Sequence, residues 1–528
     1  MNCALDSTFI SFILLTLWLL YLQYILISTT HQYFGNAVAF LTESLRNLEK
    51  GSGSVFLGLT FVSGDFFIST AASYHMANDV AIGGVVGGVF LMLTIGIGLS
   101  VFLSKDKSHR FNRRPLFRDV LFMVISTITL AVFWLKNNIQ IWGCVIILAV
   151  YVVYLVTIFL GRYIHQTYKN TSIKEMGIED PDLILMNDNL HITTETDLEN
   201  VLFLADMEEN PSTGKSLVFN QPDDEQESAP QHFRQFWKDL IYDGSEWEEK
   251  SIIQKILFLL VVPSVIVRNL TIPTGAGISW SKPLFMLNCF ASPLFLLVVT
   301  ETTDLSFPTP TIQFPVWGLL LILSFIIFVV VFFTSSLNSP PKYFNFLVVL
   351  NIVMSSCWLY MVGLELVSLL ITLLKLIGLS PTTGGIIFVG ISNSYFAIQH
   401  VVKMSSEVFI SLALPSLLSA TPLKLNFCLG SAFFISSIFN SNHEIVFPAV
   451  TGQSGGEWIY GGMNALILIF ISLLVVEIVF GIGIVISKFK LKTRLGVVLV
   501  GLWVVALLLL ILSEVGILFG KGPILSLP

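Results

Sequence analysis

Continuous apolar runs separated by short polar segments recur along most of this chain of 528 residues. Most runs approach the ~20 residues that an α-helix needs to cross the hydrocarbon core of a bilayer. The alternation of apolar and polar positions that indicates a half-buried strand does not recur. The pattern therefore predicts an all-α integral membrane protein with about 12 spans. The predicted spans are residues 11–28, 54–73, 81–103, 116–135, 141–163, 284–299, 316–333, 343–377, 384–402, 408–427, 465–486 and 495–518.

Residues 252–267 form a shorter apolar run that Pro263 interrupts. This run either crosses the membrane or only lies in the interface or re-enters, and the positions of the basic residues decide between the two. Basic loops favour the inner side of a membrane. If residues 252–267 do not cross, the basic loop at 104–118 and the basic run at 488–494 both lie inside. Both chain termini are then predicted to lie outside.

The distribution of charge divides the chain into four regions. Residues 167–250 carry many acids and few aromatic residues, and are predicted to form a partly disordered inner loop. This loop follows a first membrane half at 1–166 and precedes connecting membrane helices at 251–342 and a second half at 343–528. Each half is predicted to hold a five-helix repeat, with about two extra helices after the loop. An odd number of spans per repeat gives inverted topology, which places a binding site where the repeats meet near the midplane of the membrane.

Composition supports the membrane class, since 54% of the residues are hydrophobic and only 12% are charged. A soluble domain carries about 25% charged residues. The five cysteines are scattered singly, without the spacing of a zinc site or a disulfide framework, and are predicted to be buried. No catalytic set such as HExxH or GxSxG lies in the predicted spans. The sequence therefore predicts no enzyme, no cofactor and no nucleic-acid partner, but a protein whose surroundings are a lipid bilayer.

The apolar run at residues 56–72 carries an acid, Asp65, near its middle. An ionised carboxylate at membrane depth costs at least ~2.5–3.5 kcal/mol, so it usually faces a polar cavity and marks an ion or substrate path. Thr60 and other small or hydroxyl-bearing residues accompany it and offer oxygen ligands. Two alternatives are an acid in a loop between spans and an acid that a neighbouring helix stabilises.

The second half carries a corresponding polar set, with Asn393 and Ser394 in the apolar run at 380–405 and Glu365 in the helix before it. Asp65 and Glu365 together supply two negative charges, one from each half. Two carboxylates suit calcium as the transported metal ion, with hydroxyl, amide and backbone oxygens completing its roughly 6–8 ligands. Two monovalent cations would balance the same charge. The alternative for Glu365 is a position near the membrane surface, because its long helix must tilt or protrude.

Other polar features within the predicted spans are interpreted as structural. Glu477 and Glu514, in the last two spans, are predicted to pair with neighbours or to lie at the lipid boundary, in preference to binding ions. A glycine-rich face in the third span is predicted to let helices approach closely. This face comprises Gly83, Gly84, Gly87 and Gly88.

Motifs in a fixed order resemble a known family. They are LWLLYL (17–22), GLTF (58–61), RRPLFRDVLFMV (113–124), WSKPLFMLNCFASPL (280–294), SCWLYMVGLELVSLL (356–370) and LSPTTGGIIFVGISNS (379–394). Together with the acidic loop between them, they resemble the cation/calcium exchanger superfamily and, within it, the branch of the mitochondrial sodium/lithium/calcium exchanger. The resemblance implies cation-site positions at Thr60, Asp65, Asn393 and Ser394, and a retained acid at Glu365. It also suggests the mitochondrial inner membrane, while a plasma or other internal membrane stays open.

Both repeats depart from the pattern of that family. Thr60 precedes Asp65 by only five residues, without the Asn-Gly-Ala-Pro run of the family, and Ala397 stands in place of the acid of the second repeat. Five missing residues would turn a helix by ~140° and shorten it by ~7.5 Å. One hypothesis is a secondary active antiporter that exchanges calcium for sodium, or another monovalent cation, by alternating access. The alternative is a transport-inactive relative that acts as a membrane scaffold or regulator, whose protein partners the sequence does not indicate.

Overall fold

A computed structural model describes most of the membrane part of the chain. The described residues are 8–46, 53–104, 111, 113–136, 138–175, 236–241, 252–278, 280–302, 306–308, 313–337, 340–406, 410–439, 444–446, 458–490, 492–515 and 517. Of the acidic segment at 167–250, only 167–175 and 236–241 are described, both as helix, so the predicted disorder of the segment lies outside the described residues.

The chain divides into two compact units, which are described separately below. The first unit comprises Met1–Phe12, Asp65–Leu198 and Val367–Pro528. The second unit comprises Ile13–Gly64 and Glu199–Leu366.

Helices account for nearly all of the described residues, and each follows one of the apolar runs. Within a bilayer, backbone N–H and C=O groups must pair inside the segment, which leaves the helix as the stable form for such runs. In chain order the elements are α1 (Thr8–Ser28), the π-helical segment π1 (Thr29–Gly35), α2 (Asn36–Arg46), α3 (Gly53–Tyr74), α4 (Asn78–Leu91), π2 (Met92–Gly96), α5 (Ile97–Leu103), α6 (Arg113–Leu135), β1 (Asn138–Gln140), α7 (Ile141–Glu175), α8 (Ile252–Thr271), α9 (Lys282–Val299), β2 (Ser306–Pro308), β3 (Gln313–Pro315), α10 (Val316–Thr334), α11 (Phe344–Ile377), α12 (Pro381–Gly384), π3 (Gly385–Val389), α13 (Gly390–Ser406), α14 (Ile410–Pro422), π4 (Leu423–Cys428), α15 (Leu429–Phe439), β4 (Glu444–Val446), α16 (Trp458–Ile486) and α17 (Thr493–Glu514).

Eleven helical segments in the described part of the chain are long and apolar enough to cross a membrane. The predicted all-α membrane class is therefore confirmed, with a span count close to the predicted one. The helix that holds Asp65, α3, is not among these eleven. The only strands among the described residues are two short antiparallel pairs, β1 with β4 and β2 with β3.

The short apolar run around Pro263 forms helix α8, which is not among these eleven segments. Helix α8 is 20 residues long and includes Pro263 in its interior, and its apolar part is Phe258–Thr271. A proline inside a helix removes one backbone hydrogen bond and bends the helix, but neighbouring groups can compensate within a packed membrane protein. Proline alone therefore did not mark the end of this helix.

Close packing of α4 against π3 and α13 organises the first unit. A Cβ atom added to Gly83 would lie 2.7 Å from the backbone oxygen of Thr382, and one added to Gly87 would lie 2.7 Å from that of Ile386. Side chains at these positions would collide with a neighbouring backbone, so the helices approach closely because the residues are glycines. The interpretation of this glycine-rich face as a helix-packing surface is confirmed.

The second unit contains a fully buried arginine, Arg268 of α8. Its Nη1 donates hydrogen bonds to the hydroxyls of Ser28 and Thr29, at 3.0 and 3.1 Å. Its guanidinium carbon lies 5.0 Å from the centre of the Tyr33 ring. These dipoles and the ring face stabilise the charge within the unit and fix α8 against the first helices of the chain.

Candidate cation site

Asp65 lies in α3 and is fully buried. Its Oδ1 accepts a hydrogen bond of 2.9 Å from Nδ2 of Asn393 in α13, a residue 328 positions later in the chain. The amide oxygen of Asn393, Oδ1, is buried without a hydrogen-bond partner in the described structure. The structure thus brings together two residues that the sequence analysis proposed separately, one in each repeat.

The second oxygen of Asp65 contacts a cationic side chain that the sequence analysis did not propose. The ammonium nitrogen of Lys424 lies 2.5 Å from Oδ2 of Asp65, and both side chains are fully buried. The orientation of the two groups does not meet hydrogen-bond geometry, so the contact is a charge–charge contact alone. Taking Asp65 as ionised and Lys424 as protonated, the pair has a net charge of zero.

The local sequence explains why Lys424 has this unusual position. Helix α14 ends at Pro422, and the wider π4 segment follows immediately. Because Pro422 has no N–H to donate to the preceding turn, the regular pattern of helix hydrogen bonds is interrupted there. Single π-helical turns within α-helices frequently occur at functional sites. The proline and the π turn together set the direction in which Lys424 leaves the helix.

A lysine inside a predicted span was itself a signal that the sequence analysis missed. Lys424 falls within the apolar run at 408–427, where a charged residue is costly and marks a functional site by default. Its pairing with Asp65 could not be read from the sequence, since the two residues are separated by more than 350 positions.

Ser394 and Ala397 also lie on α13. The hydroxyl of Ser394 donates a 2.9 Å hydrogen bond to the backbone oxygen of Gly88, which fastens α13 to α4. Ala397 is buried and supplies no oxygen ligand. Ser394 therefore uses its hydroxyl in helix packing in this structure.

Thr60 and Glu365, the remaining predicted site residues, belong to the second unit. Thr60 is buried, and its hydroxyl has no hydrogen-bond partner in the described structure. The side chain of Glu365 is exposed on α11. Their predicted roles in ion binding remain predictions.

A second group of buried polar side chains extends from the π4 segment. Nδ2 of Asn426 donates to the hydroxyl of Ser126 at 2.5 Å, and the hydroxyl of the next residue, Thr127, donates to Oε1 of Glu477 at 2.7 Å. The remaining oxygens of Asn426 and Glu477 are buried without hydrogen-bond partners in the described part of the chain. Glu514 accepts hydrogen bonds from the backbone and hydroxyl of Ser380. Both glutamates thus pair with neighbours, as the sequence predicted.

The donor set determines which ions the site could hold. Calcium takes roughly 6–8 oxygen ligands and is usually bound by several carboxylates. Among the described residues, no group of three or more His, Cys, Asp or Glu side chains could hold a metal ion. In the first unit, Asp65 contributes one carboxylate and Asn393 an unused amide oxygen. With Lys424 in place, this site holds one positive charge that belongs to the protein itself.

Comparisons with known proteins give independent information about the class. The family model described as sodium/calcium exchanger protein matches residues 15–160. The putative sodium/calcium exchanger 6 of Caenorhabditis elegans is 24% identical over 448 residues, which cover 83% of this chain and 74% of that protein. The mitochondrial sodium/calcium exchanger protein of Rattus norvegicus is 24% identical over 389 residues, which cover 71% of this chain and 62% of that protein.

A crystal structure of the H+/Ca2+ exchanger CAX also matches, with 10% sequence identity. The match covers 94% of this chain and 87% of that chain, and its TM-score of 0.37 does not by itself establish a common fold.

The apolar helices define a multi-pass membrane protein, and its sequence is similar to those of sodium/calcium exchangers. The predicted resemblance to the cation/calcium exchanger superfamily is confirmed, and the relatives include sodium/calcium exchangers of the mitochondrial type.

Proposed function

We propose that this protein is a secondary active antiporter that exchanges calcium for sodium, or for another monovalent cation, by alternating access. Asp65 is the carboxylate that the transported ions share, and the amide oxygen of Asn393 completes part of the ion shell. The names of the relatives support this exchange, and the buried position of Asp65 supports its role.

The contact between Asp65 and Lys424 carries the proposal. A carboxylate buried in a membrane protein is costly unless a cation compensates it. The ammonium of Lys424 provides this compensation at 2.5 Å. The position next to Asp65 is therefore one that a cation occupies, and an ion that displaces the ammonium would find the carboxylate and the Asn393 amide already in place.

The same contact favours a second candidate function, a transport-inactive relative that acts as a membrane scaffold or regulator. In that case the Lys424 ammonium holds Asp65 permanently, and Ala397 leaves the second repeat without its acid. The two functions differ in one respect that can be measured, which is whether an external cation can replace the ammonium during a transport cycle.

Calcium-45 uptake into sodium-loaded proteoliposomes tests the proposed function directly. The wild-type protein is compared with Asp65→Asn and with Glu301→Gln, an exposed acid in the turn after α9 that serves as the matched control. Uptake that requires the sodium gradient, persists in Glu301→Gln and disappears in Asp65→Asn would support the antiporter. Absence of flux from folded wild-type protein, with lithium and potassium gradients also tested, would refute it and favour the inactive relative.

Glu365→Gln in the same assay tests the remaining predicted acid. Since the Glu365 side chain is exposed, we expect its neutral variant to keep sodium-dependent uptake. A loss as complete as that of Asp65→Asn would instead assign Glu365 to the ion path.

The mitochondrial relatives lead us to propose the mitochondrial inner membrane as the first location to test, by fractionation of cells that express the tagged protein.

A further inference from the structure

We infer that Lys424 is a tethered competitor of the transported ion, and that it selects against divalent cations at Asp65. This inference rests on the proposed function for the role of Asp65 as an ion ligand. It goes beyond that function because it assigns ion selectivity to a lysine on a different helix.

The first step concerns space and charge. The Lys424 nitrogen lies 2.5 Å from Oδ2 of Asp65, which is the distance at which a metal ion would bind a carboxylate oxygen. An ammonium group and a metal ion cannot both occupy this position. Because both residues are fully buried, their charges interact with much less screening than charges in water. An entering ion must therefore displace the ammonium.

The second step is that the protein can accommodate the displacement. The ammonium of lysine is a compact charge on a flexible stem of four carbons, so it can move while its backbone stays fixed. Oδ1 of Asn426, on the same π4 segment, is buried without a partner in the described structure, as is Oε2 of Glu477 in the adjoining polar group. These oxygens offer acceptors to an ammonium that leaves Asp65.

The third step compares ions of different charge. A monovalent ion that replaces the ammonium restores the neutral pair with Asp65, whereas calcium leaves one uncompensated positive charge. The displaced ammonium also repels calcium twice as strongly as sodium. With an effective dielectric constant of about 20 and about 6 Å between the displaced ammonium and the bound ion, the extra repulsion disfavours calcium relative to sodium on the order of 100-fold. Removal of the lysine charge should therefore raise calcium affinity relative to sodium affinity by that order.

The test measures ion binding by purified full-length protein in choline buffer, with calcium and sodium themselves as probes. Calcium-45 equilibrium binding and the ion dependence of the thermal unfolding midpoint are recorded for the wild type, Lys424→Met and Lys424→Arg. Lys424→Gln is a second neutral variant, in case Lys424→Met does not fold. The double variant Asp65→Asn with Lys424→Met removes both charges and serves as the control without the site.

We expect the neutral single variants to bind calcium more tightly than the wild type and to prefer calcium over sodium on the order of 100-fold more than the wild type does, and to unfold at higher temperature as calcium or sodium is added. Lys424→Arg should behave as the wild type, and the double variant should show neither effect. The inference is overturned if a folded neutral variant binds calcium no more tightly than the wild type, or if the double variant gains the same affinity.

The outcomes separate this inference from the proposed function. Wild-type protein without flux, beside a neutral variant whose tight calcium binding requires Asp65, would refute transport and keep the competitor role of Lys424. Sodium-dependent calcium flux with calcium binding that is the same in the wild type and Lys424→Gln would keep transport and refute the competitor role.

Discussion

Gly385 lies where π3 crosses α4, and its substitution by alanine tests a close contact between two helix backbones of the first unit. A Cβ atom at this position would lie 2.7 Å from the backbone oxygen of Val80, 3.1 Å from the Val80 Cα and 3.2 Å from the backbone nitrogen of Gly84. All three neighbours are backbone atoms, so no side chain can rotate away. An ordinary contact begins at 3.4 Å, so the two helices must separate by 3.4 − 2.7 = 0.7 Å along the shortest direction.

The expected cost follows from two opposing effects. Overpacking of an interior typically costs about 1–3 kcal/mol, and a contact between two backbones belongs at the upper end of that range. Alanine also favours the helix over glycine by about 1 kcal/mol. The Gly385→Ala variant should therefore be destabilised by about 1–2 kcal/mol. The hydrogen bond from Ser394 to Gly88 should weaken as well, because α13 continues directly from π3 and is fastened to the same helix, α4.

Gly501→Ala is the matched control, since a Cβ atom at Gly501 in α17 meets nothing within 4 Å. This variant gains helix propensity without any overlap and should be as stable as the wild type or more stable. The measurement is the thermal unfolding midpoint of detergent-purified protein, followed by tryptophan fluorescence. If Gly385→Ala unfolds at or above the midpoint of Gly501→Ala, the close crossing of α4 and π3 is refuted.

Three further predictions concern buried polar contacts. In a double-mutant cycle, Asp65→Asn and Lys424→Met should each destabilise the protein by about 3–5 kcal/mol in choline buffer, because each single change leaves a buried charge unpaired. The double variant should lose much less stability. If the losses of the two single variants simply add in the double variant, the ion pair is contradicted. Glu477→Gln should keep wild-type stability, because its side-chain oxygen still accepts the hydrogen bond from Thr127. Glu477→Ala should lose at least about 1–3 kcal/mol. Equal thermal unfolding midpoints for the two variants would contradict this expectation. Trp358→Phe removes the 2.8 Å hydrogen bond to the Thr271 hydroxyl and should lower the free energy of unfolding by about 1–3 kcal/mol. Thermal unfolding measures this loss. An unchanged unfolding midpoint would mean that the hydrogen bond contributes nothing to stability.

The apolar runs predicted most of the helices because each run is long enough to satisfy its own backbone within a membrane. The glycine-rich face in the third span also predicted correctly that helices approach there. Proline by itself did not determine whether the run around Pro263 is helical, because neighbouring groups can compensate one lost backbone hydrogen bond.

The candidate site was only partly predictable. Asp65 and Asn393 stood out because polar groups inside apolar runs are costly and therefore carry information. Lys424 carries the same signal, but a lysine supplies no oxygen ligand and so does not stand out as part of a cation site. Glu365 was proposed from its charge, its place in a long helix and the family resemblance, and the structure adds that its side chain is exposed.

By itself, the sequence determined the class of the protein, the positions of its helices and the residues with which a site could be built, because these follow from local hydrophobicity and from the cost of burying charge. Only the tertiary structure decided that the carboxylate of Asp65 is held by Asn393 on one side and by Lys424 on the other. These partners lie more than 300 positions away from Asp65, Asn393 on α13 and Lys424 on the π turn after Pro422. Long-range packing, which no local pattern encodes, therefore set the charge of the site.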